Sequence, residues 1–257
     1  MVAHNPFEEV YGLVGHPLGH SFSASYFNEK FSREGINACY LNFDLEDPAQ
    51  IPFLFDEHPN LRGLNVTIPY KKSVIPYLSY LQKDAQEIGA VNVICPSFRD
   101  GTRFLVGYNS DYVGFMNSLT PYYRKHKTAL ILGTGGASQA IRYALSKQGI
   151  KYIFVSRTPK EGQITYADID REVMDEYTLI INTTPLGMYP KVDECPDIPY
   201  DLLTHRHLLY DLTYNPEETL FLRRGREQGA STKNGLEMLH LQADAAWEIW
   251  QGKFLPS

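Results

Sequence analysis

The chain has 257 residues, of which 43% are hydrophobic and 21% charged, and its formal net charge is -6. Lys and Arg are dispersed along it, so no basic stripe exists that could follow a nucleic-acid backbone. No apolar run reaches the roughly 18 residues of a membrane-spanning helix. We therefore expect a soluble globular protein, long enough for two domains, that binds neither nucleic acid nor a membrane.

The first ten residues, MVAHNPFEEV, carry two glutamates where a secretory signal would carry an apolar stretch. We therefore expect no signal peptide and a cytoplasmic protein. The three cysteines, Cys39, Cys95 and Cys195, are far apart in the chain. Neither they nor the histidines show the spacing of a disulfide framework or of metal ligands, so the sequence predicts no metal site.

In the first half of the chain, short apolar runs alternate with amphipathic stretches. This pattern is typical of strands joined by crossover helices over a mostly parallel sheet. Strands are predicted over residues 10–15, 39–44, 64–68, 91–95 and 103–107, and helices over residues 25–33, 48–57 and 84–88. The segment Arg99-Asp100-Gly101 reads as a turn, which predicts a hairpin at a sheet edge.

A second series of strands and helices follows. Its predicted strands cover residues 129–132, 152–155, 179–181 and 208–212, with helices over residues 138–148 and 236–250. An amphipathic stretch over residues 112–119 lies between the two series. The polar run that ends at Lys127 separates the two series, so we place the domain crossing there. The predicted fold is α/β, with a mostly parallel N-terminal domain followed by a doubly wound, Rossmann-type domain.

The second series opens with a glycine-rich loop. The strand ALIL leads into GTGGAS at residues 133–138 and then into a helix, the arrangement that cradles a pyrophosphate on backbone N–H groups. The next strand ends at Ser156-Arg157-Thr158, without a carboxylate. Because a guanidinium binds phosphate through forked hydrogen bonds, Arg157 favours NADP over NAD. The alternatives are a plain glycine-rich turn and a solvated surface arginine.

Polar side chains in the first series fall at or just beyond the carboxyl ends of predicted strands, where open α/β sheets bind ligands. They are Ser21, Ser23, Asn65, Thr67, Lys71, Asn92, Asn109 and Asp111. Their hydroxyls, amides and single ammonium are groups that a small polyhydroxylated acid requires. Each also has a structural explanation: Ser23 and Asp111 as helix N-caps, Thr67 as a strand former and Lys71 as a solvated helix start.

From Tyr11 to about Gln242, the chain carries a series of motifs in a fixed order. In these motifs it resembles the shikimate dehydrogenases and the related quinate/shikimate dehydrogenases. The segments that carry the resemblance are YGLVGHPLGHSFS, NVTIPYK, GAVN, GYNSDYVG, GTGGAS, SRT, NTTPLGM, DLTYNPEET and NGLEMLHLQ. The resemblance implies reversible, NADP-dependent reduction of 3-dehydroshikimate to shikimate, a step in the biosynthesis of chorismate and the aromatic amino acids. It also implies that the last helix returns to the first domain, giving a substrate domain of residues 1–110 and 236–257 and a cofactor domain of residues 111–235.

The resemblance also assigns roles to individual residues. Lys71 and Asp111 would serve the proton transfer. The other substrate-binding residues would be Ser21, Ser23 and Tyr214 at the carboxylate, and Asn65, Thr67, Asn92, Asp111 and Gln242 at the ring hydroxyls. The cofactor-binding residues would be Gly133, Gly135, Gly136, Ala137, Ser156, Arg157, Met188, Leu212 and Gly235. The molecule would act as a monomer or a homodimer.

Three departures from the family pattern occur. Ala24 replaces a proline, Ser156 replaces an asparagine, and Glu161 stands where a second basic residue is expected, with Lys160 beside it. An acid near the 2′-phosphate would weaken NADP binding. Two alternatives therefore stay open: a quinate/shikimate dehydrogenase that uses NAD, and a dinucleotide-sensing regulator without catalysis.

Overall fold

The structure is a computed structural model that describes residues 7–19 and 21–253, so the N-terminal residues 1–6 considered for a signal peptide and His20 lie outside the described residues. The chain divides into two compact units. The first unit consists of two segments, the residues up to Ser110 and those from Ala243 onwards, and the second unit is Asp111–Gln242. No helix in the described part of the chain is both long enough and apolar enough to cross a membrane.

The first unit is built on a six-stranded sheet in the order β2-β1-β3-β5-β6-β4. Its strands are β1 Glu9–Gly15, β2 Ala38–Asp44, β3 Leu61–Val66, β4 Tyr80–Leu81, β5 Val93–Arg99 and β6 Thr102–Tyr108. Strand β1 pairs in parallel with β2 and β3, whereas β5 runs antiparallel to both β3 and β6. Asp100 and Gly101 both have positive φ, as a two-residue turn between right-twisted strands requires.

Side chains alternate between the two faces of the first sheet. Val10 and Val14 of β1 pack on one face with Ile51 and neighbouring apolar residues, while Tyr11 and Leu13 pack on the other. The helices of this unit are α1 Phe22–Glu34, α2 Ile51–Glu57, α3 Tyr70–Ser73 and α4 Lys83–Ile88. The sheet is therefore covered on both faces, as a mostly parallel sheet requires.

The second unit contains a six-stranded sheet in the order β12-β11-β10-β7-β8-β9, and every pairing in it is parallel. Its strands are β7 Thr128–Leu132, β8 Lys151–Val155, β9 Gln163–Ile164, β10 Leu179–Asn182, β11 Leu208–Asp211 and β12 Ser231–Lys233. The strand order reverses at β7, which is the doubly wound order of dinucleotide-binding folds. The predicted fold class is confirmed.

The helices of the second unit are α5 Asp111–Leu119, α6 Gly136–Lys147, α7 Arg171–Glu176, α8 Leu220–Glu227 and the start of α9 Leu236–Trp250. Helix α5 precedes the parallel strands, α6, α7 and α8 lie between them in the chain, and α9 follows them. Helix α9 is one continuous helix, and its later residues Ala243, Trp247 and Trp250 pack with Tyr11 in the core of the first unit. Gly63 accommodates this packing, because a Cβ there would lie 2.1 Å from Nε1 of Trp250.

Four predictions about single elements were wrong. The hairpin is not at the sheet edge, because β4 pairs with the outer side of β6. Strand β3 begins at Leu61 and ends at Val66, so Thr67 lies beyond it. Asn92 precedes β5 instead of lying on a strand. Helix α6 begins at Gly136, two residues before the predicted start, so the last residues of the glycine-rich loop form its first turn.

Candidate functional site

In the first unit, buried amide and hydroxyl groups form a connected network at one edge of the sheet. The Tyr40 hydroxyl donates to Oδ1 of Asn65 over 2.7 Å, and Nδ2 of Asn65 donates to the Asn92 carbonyl over 3.3 Å. Tyr40, Asn65 and Asn92 are 3%, 6% and 3% exposed. Burial raises the pKa of Tyr40 well above its usual range, and a hydrogen bond with the Ser23 side chain opposes that shift. Tyr40 therefore connects two predicted substrate residues.

Asn92 extends this network to Ser110, the last residue of the first chain segment of this unit. Its Nδ2 donates to Oγ of Ser110 over 2.9 Å, and its Oδ1 accepts from the Ser110 backbone N–H over 2.6 Å. Asn109 donates from Nδ2 to the Ala90 carbonyl over 3.0 Å. Strand β5 is antiparallel to β3, so its amino end lies at the same sheet edge as the carboxyl end of β3. Asn92 thus lies at the predicted edge of the sheet because it precedes an antiparallel strand, not because it follows a parallel one.

The two serines lie at the amino end of α1. Ser21 is the N-cap, and its Oγ accepts from the Ala24 N–H over 3.2 Å. Ser23 lies within the first turn, so the structural explanation of Ser23 as the N-cap is wrong. Hydroxyls at the positive end of a helix suit a carboxylate.

Thr67 and Lys71 follow the end of β3. The Thr67 N–H donates to the Val14 carbonyl over 2.9 Å, which ties this loop to the end of β1. Lys71 lies in the short helix α3, and its carbonyl accepts from the Val91 N–H over 2.7 Å. The backbone of Lys71 is thereby held next to the segment that carries Asn92.

In the second unit, two other predicted substrate residues lie on helices that pack closely together. Asp111 is the first residue of α5, one turn before Gly114. A Cβ on Gly114 would lie 2.6 Å from the Met238 carbonyl oxygen and 2.8 Å from Cβ of Gln242, both in α9. The absence of a side chain at Gly114 therefore sets the spacing of the helices that carry Asp111 and Gln242.

The glycine-rich loop has the shape that a pyrophosphate requires. Gly133 has a φ of +104°, and a Cβ there would lie 2.9 Å from Oγ1 of Thr183. Gly135 is the N-cap of α6 and offers the helix no side-chain hydrogen bond. A Cβ on Gly135 would meet nothing within 4 Å, so open space lies beside this N-cap residue, next to the first backbone N–H groups of α6. Gly136 and Ala137 supply two of these groups, and the loop suits a dinucleotide phosphate.

The segment after β8 has a buried serine and an exposed arginine. Ser156 is 8% exposed, and its Oγ accepts from the Thr158 N–H over 3.3 Å. Arg157 is exposed and, in the described part of the chain, forms no ion pair. Lys160 and Glu161 are also exposed. Ser156 thus shapes the turn, and the Arg157 guanidinium remains available to an anion.

A second buried network fixes the loops after β10 and β11. Oδ1 of Asp211 accepts from Nδ2 of Asn182 over 3.1 Å and from the Thr213 N–H over 3.0 Å, and its Oδ2 accepts from the Thr219 hydroxyl over 2.7 Å. Burial raises the pKa of Asp211, and these hydrogen bonds oppose the shift. Met188 lies in the loop after β10, and its side chain is 46% exposed. The network holds the backbone that presents Met188.

The structure brings Leu212 and Gly235 into contact. A Cβ on Gly235 would lie 2.1 Å from the Leu212 carbonyl oxygen, and the Gly235 N–H donates to the Thr213 carbonyl over 3.0 Å. Tyr214 follows at 39% exposure, and burial raises the pKa of its hydroxyl. Three residues of the predicted list therefore cluster at the end of β11.

Two residues of the network in the first unit, Tyr40 and Ser110, were not among the site residues predicted from the sequence. Ser110 lies between Asn109 and Asp111 in the motif GYNSDYVG, which was a usable signal, whereas an aromatic residue inside a predicted strand was not. Lys71 belongs to the first unit and Asp111 to the second, so their joint action stays a prediction. No group of side chains placed to hold a metal occurs within residues 7–19 and 21–253.

A doubly wound sheet with an uncapped, glycine-lined helix start defines the class of dinucleotide-binding α/β proteins. The same chain carries a second α/β unit with buried amides at the strand ends. Together these features define a two-domain protein for a dinucleotide and a small polar ligand.

Known proteins resemble the chain over most of its length. The family model described as the shikimate dehydrogenase substrate binding domain matches residues 13–94. The shikimate dehydrogenase (NADP(+)) of Aquifex aeolicus is 38% identical over 265 residues, which cover 98% of the chain and 94% of that relative. A crystal structure of a shikimate dehydrogenase in complex with NADP+ has a TM-score of 0.83 at 35% identity, covering 95% of the chain and 90% of its own. Shikimate 5-dehydrogenase from Thermus thermophilus, in complex with NADP(H) and shikimate, also has a TM-score of 0.83, at 29% identity, covering 97% and 95%.

The chain belongs to the shikimate dehydrogenase family. The resemblance indicated by the ordered motifs is confirmed.

Proposed function

We propose that the chain is an NADP-dependent shikimate dehydrogenase, which interconverts shikimate and 3-dehydroshikimate in chorismate and aromatic amino acid biosynthesis. The observation that carries this proposal is the buried hydrogen-bonded network of Tyr40, Asn65, Asn92 and Ser110 in the first unit. Buried amides whose orientation is fixed are suited to binding the hydroxyls of a small polyol. They discriminate between ligands by the direction in which each hydroxyl points and by the number of hydroxyls. The curated relatives support the same activity.

The proposal places the cofactor on the second unit. Gly133, Gly135, Gly136 and Ala137 hold the pyrophosphate on backbone N–H groups, since Gly135 leaves open space there. Arg157 binds the 2′-phosphate, and Ser156 fixes the turn that carries it. Met188, Leu212 and Gly235 border the nicotinamide. When bound, NADP supplies the hydride chemistry of the reaction.

The proposal places the substrate mainly on the first unit. Ser21 and Ser23, at the positive end of α1, bind the carboxylate together with Tyr214. The ring hydroxyls are bound by amide, hydroxyl and carboxyl groups: Asn65, Thr67, Asn92, Asp111 and Gln242. These groups include donors and acceptors, as an alcohol requires.

Lys71 and Asp111 act on the reacting hydroxyl. In the direction of reduction, the Lys71 ammonium donates a proton to the carbonyl oxygen as hydride reaches the carbon. In the direction of oxidation, Lys71 takes up that proton, or its ammonium stabilises the developing alkoxide. Asp111 accepts a hydrogen bond from the same hydroxyl and orients it.

The proposal divides the roles between residues 1–110 with 236–257, which bind the substrate, and residues 111–235, which bind the cofactor. The similarity between the substrate-binding family model and residues 13–94 supports this division. A cytoplasmic location and a monomeric or homodimeric state are part of the same proposal.

Four reaction mixtures test the function. Purified protein is combined with shikimate or quinate and with NADP or NAD, and the absorbance of the reduced nicotinamide is followed. We expect the fastest reduction with shikimate and NADP. Faster reduction with quinate or NAD would select the quinate/shikimate alternative, and no reduction in any mixture would select the regulator.

A further inference from the structure

The second unit has a polar cavity away from the glycine-rich loop. Its volume is about 440 Å³, and its lining includes Thr128, Leu208 and Ser231, the first residues of β7, β11 and β12. All strands of this sheet are parallel, so the cavity lies at the amino edge, opposite the edge from which Gly133 follows β7. It is therefore separate from the proposed cofactor site.

The cavity has an excess of positive charge. Lys125, Lys127 and Arg206 line it together with one carboxylate, that of Glu176. In the part of the chain that the structure describes, none of the three cations forms an ion pair with a carboxylate. The Arg206 guanidinium donates from Nη2 to the Asp175 carbonyl over 3.3 Å, which leaves its other N–H groups for a ligand. Two positive charges thus remain unbalanced in a chain whose net charge is -6.

Two buried histidines of the lining are held by hydrogen bonds. His126 is 5% exposed, and its Nδ1 lies 2.9 Å from Oγ1 of Thr178. The pKa of His126 is lowered, first by burial and then by electrostatic interactions with His207 and Lys125. His207 is also fixed, since one ring nitrogen lies 2.9 Å from the Met174 carbonyl oxygen. The cations Lys125, Lys127 and Arg206 are themselves exposed, and they line the cavity beside these two buried rings.

We propose that this cavity binds a small molecule that carries a phosphate group. A phosphate offers up to two negative charges to the two unbalanced positive ones, whereas a single carboxylate offers one. The Arg206 guanidinium and the two lysines are the side chains that bind phosphate oxygens in proteins. A volume of about 440 Å³ admits a small metabolite.

Titration with inorganic pyrophosphate tests the proposal on the protein saturated with NADP, so that the cofactor site is occupied. Imidazole proton–nitrogen correlation spectra report on the location, because His126, His205 and His207 line the cavity while His58 lies in the other unit. We expect saturable shifts of the three cavity signals, with Kd on the order of 1 mM or below, and no shift of His58. Acetate provides the comparison with a single carboxylate and should bind more weakly.

Charge removal provides the second part of the test. In the double variant Lys127→Gln/Arg206→Gln, we expect the Kd for pyrophosphate to rise at least about tenfold, or roughly 1.4 kcal/mol. Lys83→Gln/Arg99→Gln removes the same charge from exposed positions of the first unit and should leave the Kd unchanged. Lys125→Gln/Lys127→Gln is a second cavity variant if the first is poorly folded. Absent shifts, equal Kd values in cavity and control variants, or tighter binding of acetate than of pyrophosphate would each overturn the proposal.

Discussion

The replacement Tyr40→Phe tests whether the buried network of the first unit positions a substrate. It removes one hydroxyl, whose hydrogen bond to Oδ1 of Asn65 is 2.7 Å long. Both residues are buried, so water does not readily replace the donor. An unsatisfied buried acceptor costs about 1–3 kcal/mol. We expect the free energy of unfolding to fall by that amount, or the melting temperature by roughly 2–4 °C per kcal/mol.

The same replacement should weaken shikimate binding. Without the Tyr40 hydroxyl, the Asn65 amide can rotate, and the Ser23 side chain loses a hydrogen-bonding partner. A loss of about 1 kcal/mol in substrate binding raises KM about fivefold. Because Tyr40 acts through Asn65 and not on the reacting atoms, kcat should stay within about twofold. Steady-state reduction of NADP at varied shikimate concentration gives both constants.

Tyr11→Phe is the matched control. Tyr11 is also buried in the first sheet, but its hydroxyl donates to Oε2 of Glu9 over 2.9 Å, away from the amides. This variant should keep the KM for shikimate. An unchanged KM in Tyr40→Phe would refute the positioning role, and a selective fall in kcat would instead place the Tyr40 hydroxyl at the reacting atoms.

Three further predictions concern the second unit. Gly135→Ala should leave the free energy of unfolding within about 0.5 kcal/mol, because the new Cβ meets no protein atom, but should weaken NADP binding about tenfold in a fluorescence titration. Gly19→Ala is the control, because a Cβ there also meets no protein atom within 4 Å, and this variant should bind NADP as tightly as the unaltered protein. Asp211→Ala should lower the free energy of unfolding by about 3 kcal/mol or more in urea, since three donors lose their acceptor; an effect no larger than that of Asp211→Asn would contradict this account. For His126, the pKa in the folded protein lies below its usual value of 6.5, so the unfolded chain binds the proton more readily and the free energy of unfolding falls as pH drops below that value. His126→Gln should reduce this pH dependence in urea unfolding, and an unchanged slope would show that the shift is absent.

Much of the fold could be predicted because it depends on local patterns. The helix over residues 236–250 was predicted with the bounds that the structure shows, since its apolar residues recur at helical spacing. Helix α8 Leu220–Glu227 was not predicted, because three of its eight residues are arginines and its apolar face is short. The two-residue strands β4 and β9 have too few residues for a strand pattern. Their pairing depends on neighbours that are distant in the sequence.

The site was predictable where a residue type carries its own chemistry. The glycine-rich loop and Arg157 could be recognised because their conformational freedom and charge are intrinsic. Asn92 was expected at the correct sheet edge but for the wrong reason, since the strand direction of β5 cannot be read from its composition. The hydrogen bond of Tyr40 could not be predicted, because its partner Asn65 lies 25 residues away in the chain.

The most direct test of the central claim compares Lys71→Met with Lys72→Met in the reaction of shikimate with NADP. Lys72 is exposed on the same short helix and provides the same change of charge. We predict that Lys71→Met lowers kcat by roughly 10²-fold or more while shikimate still binds, and that Lys72→Met retains the turnover of the unaltered protein. Near-normal turnover in Lys71→Met, or no turnover in the unaltered protein, would contradict the account.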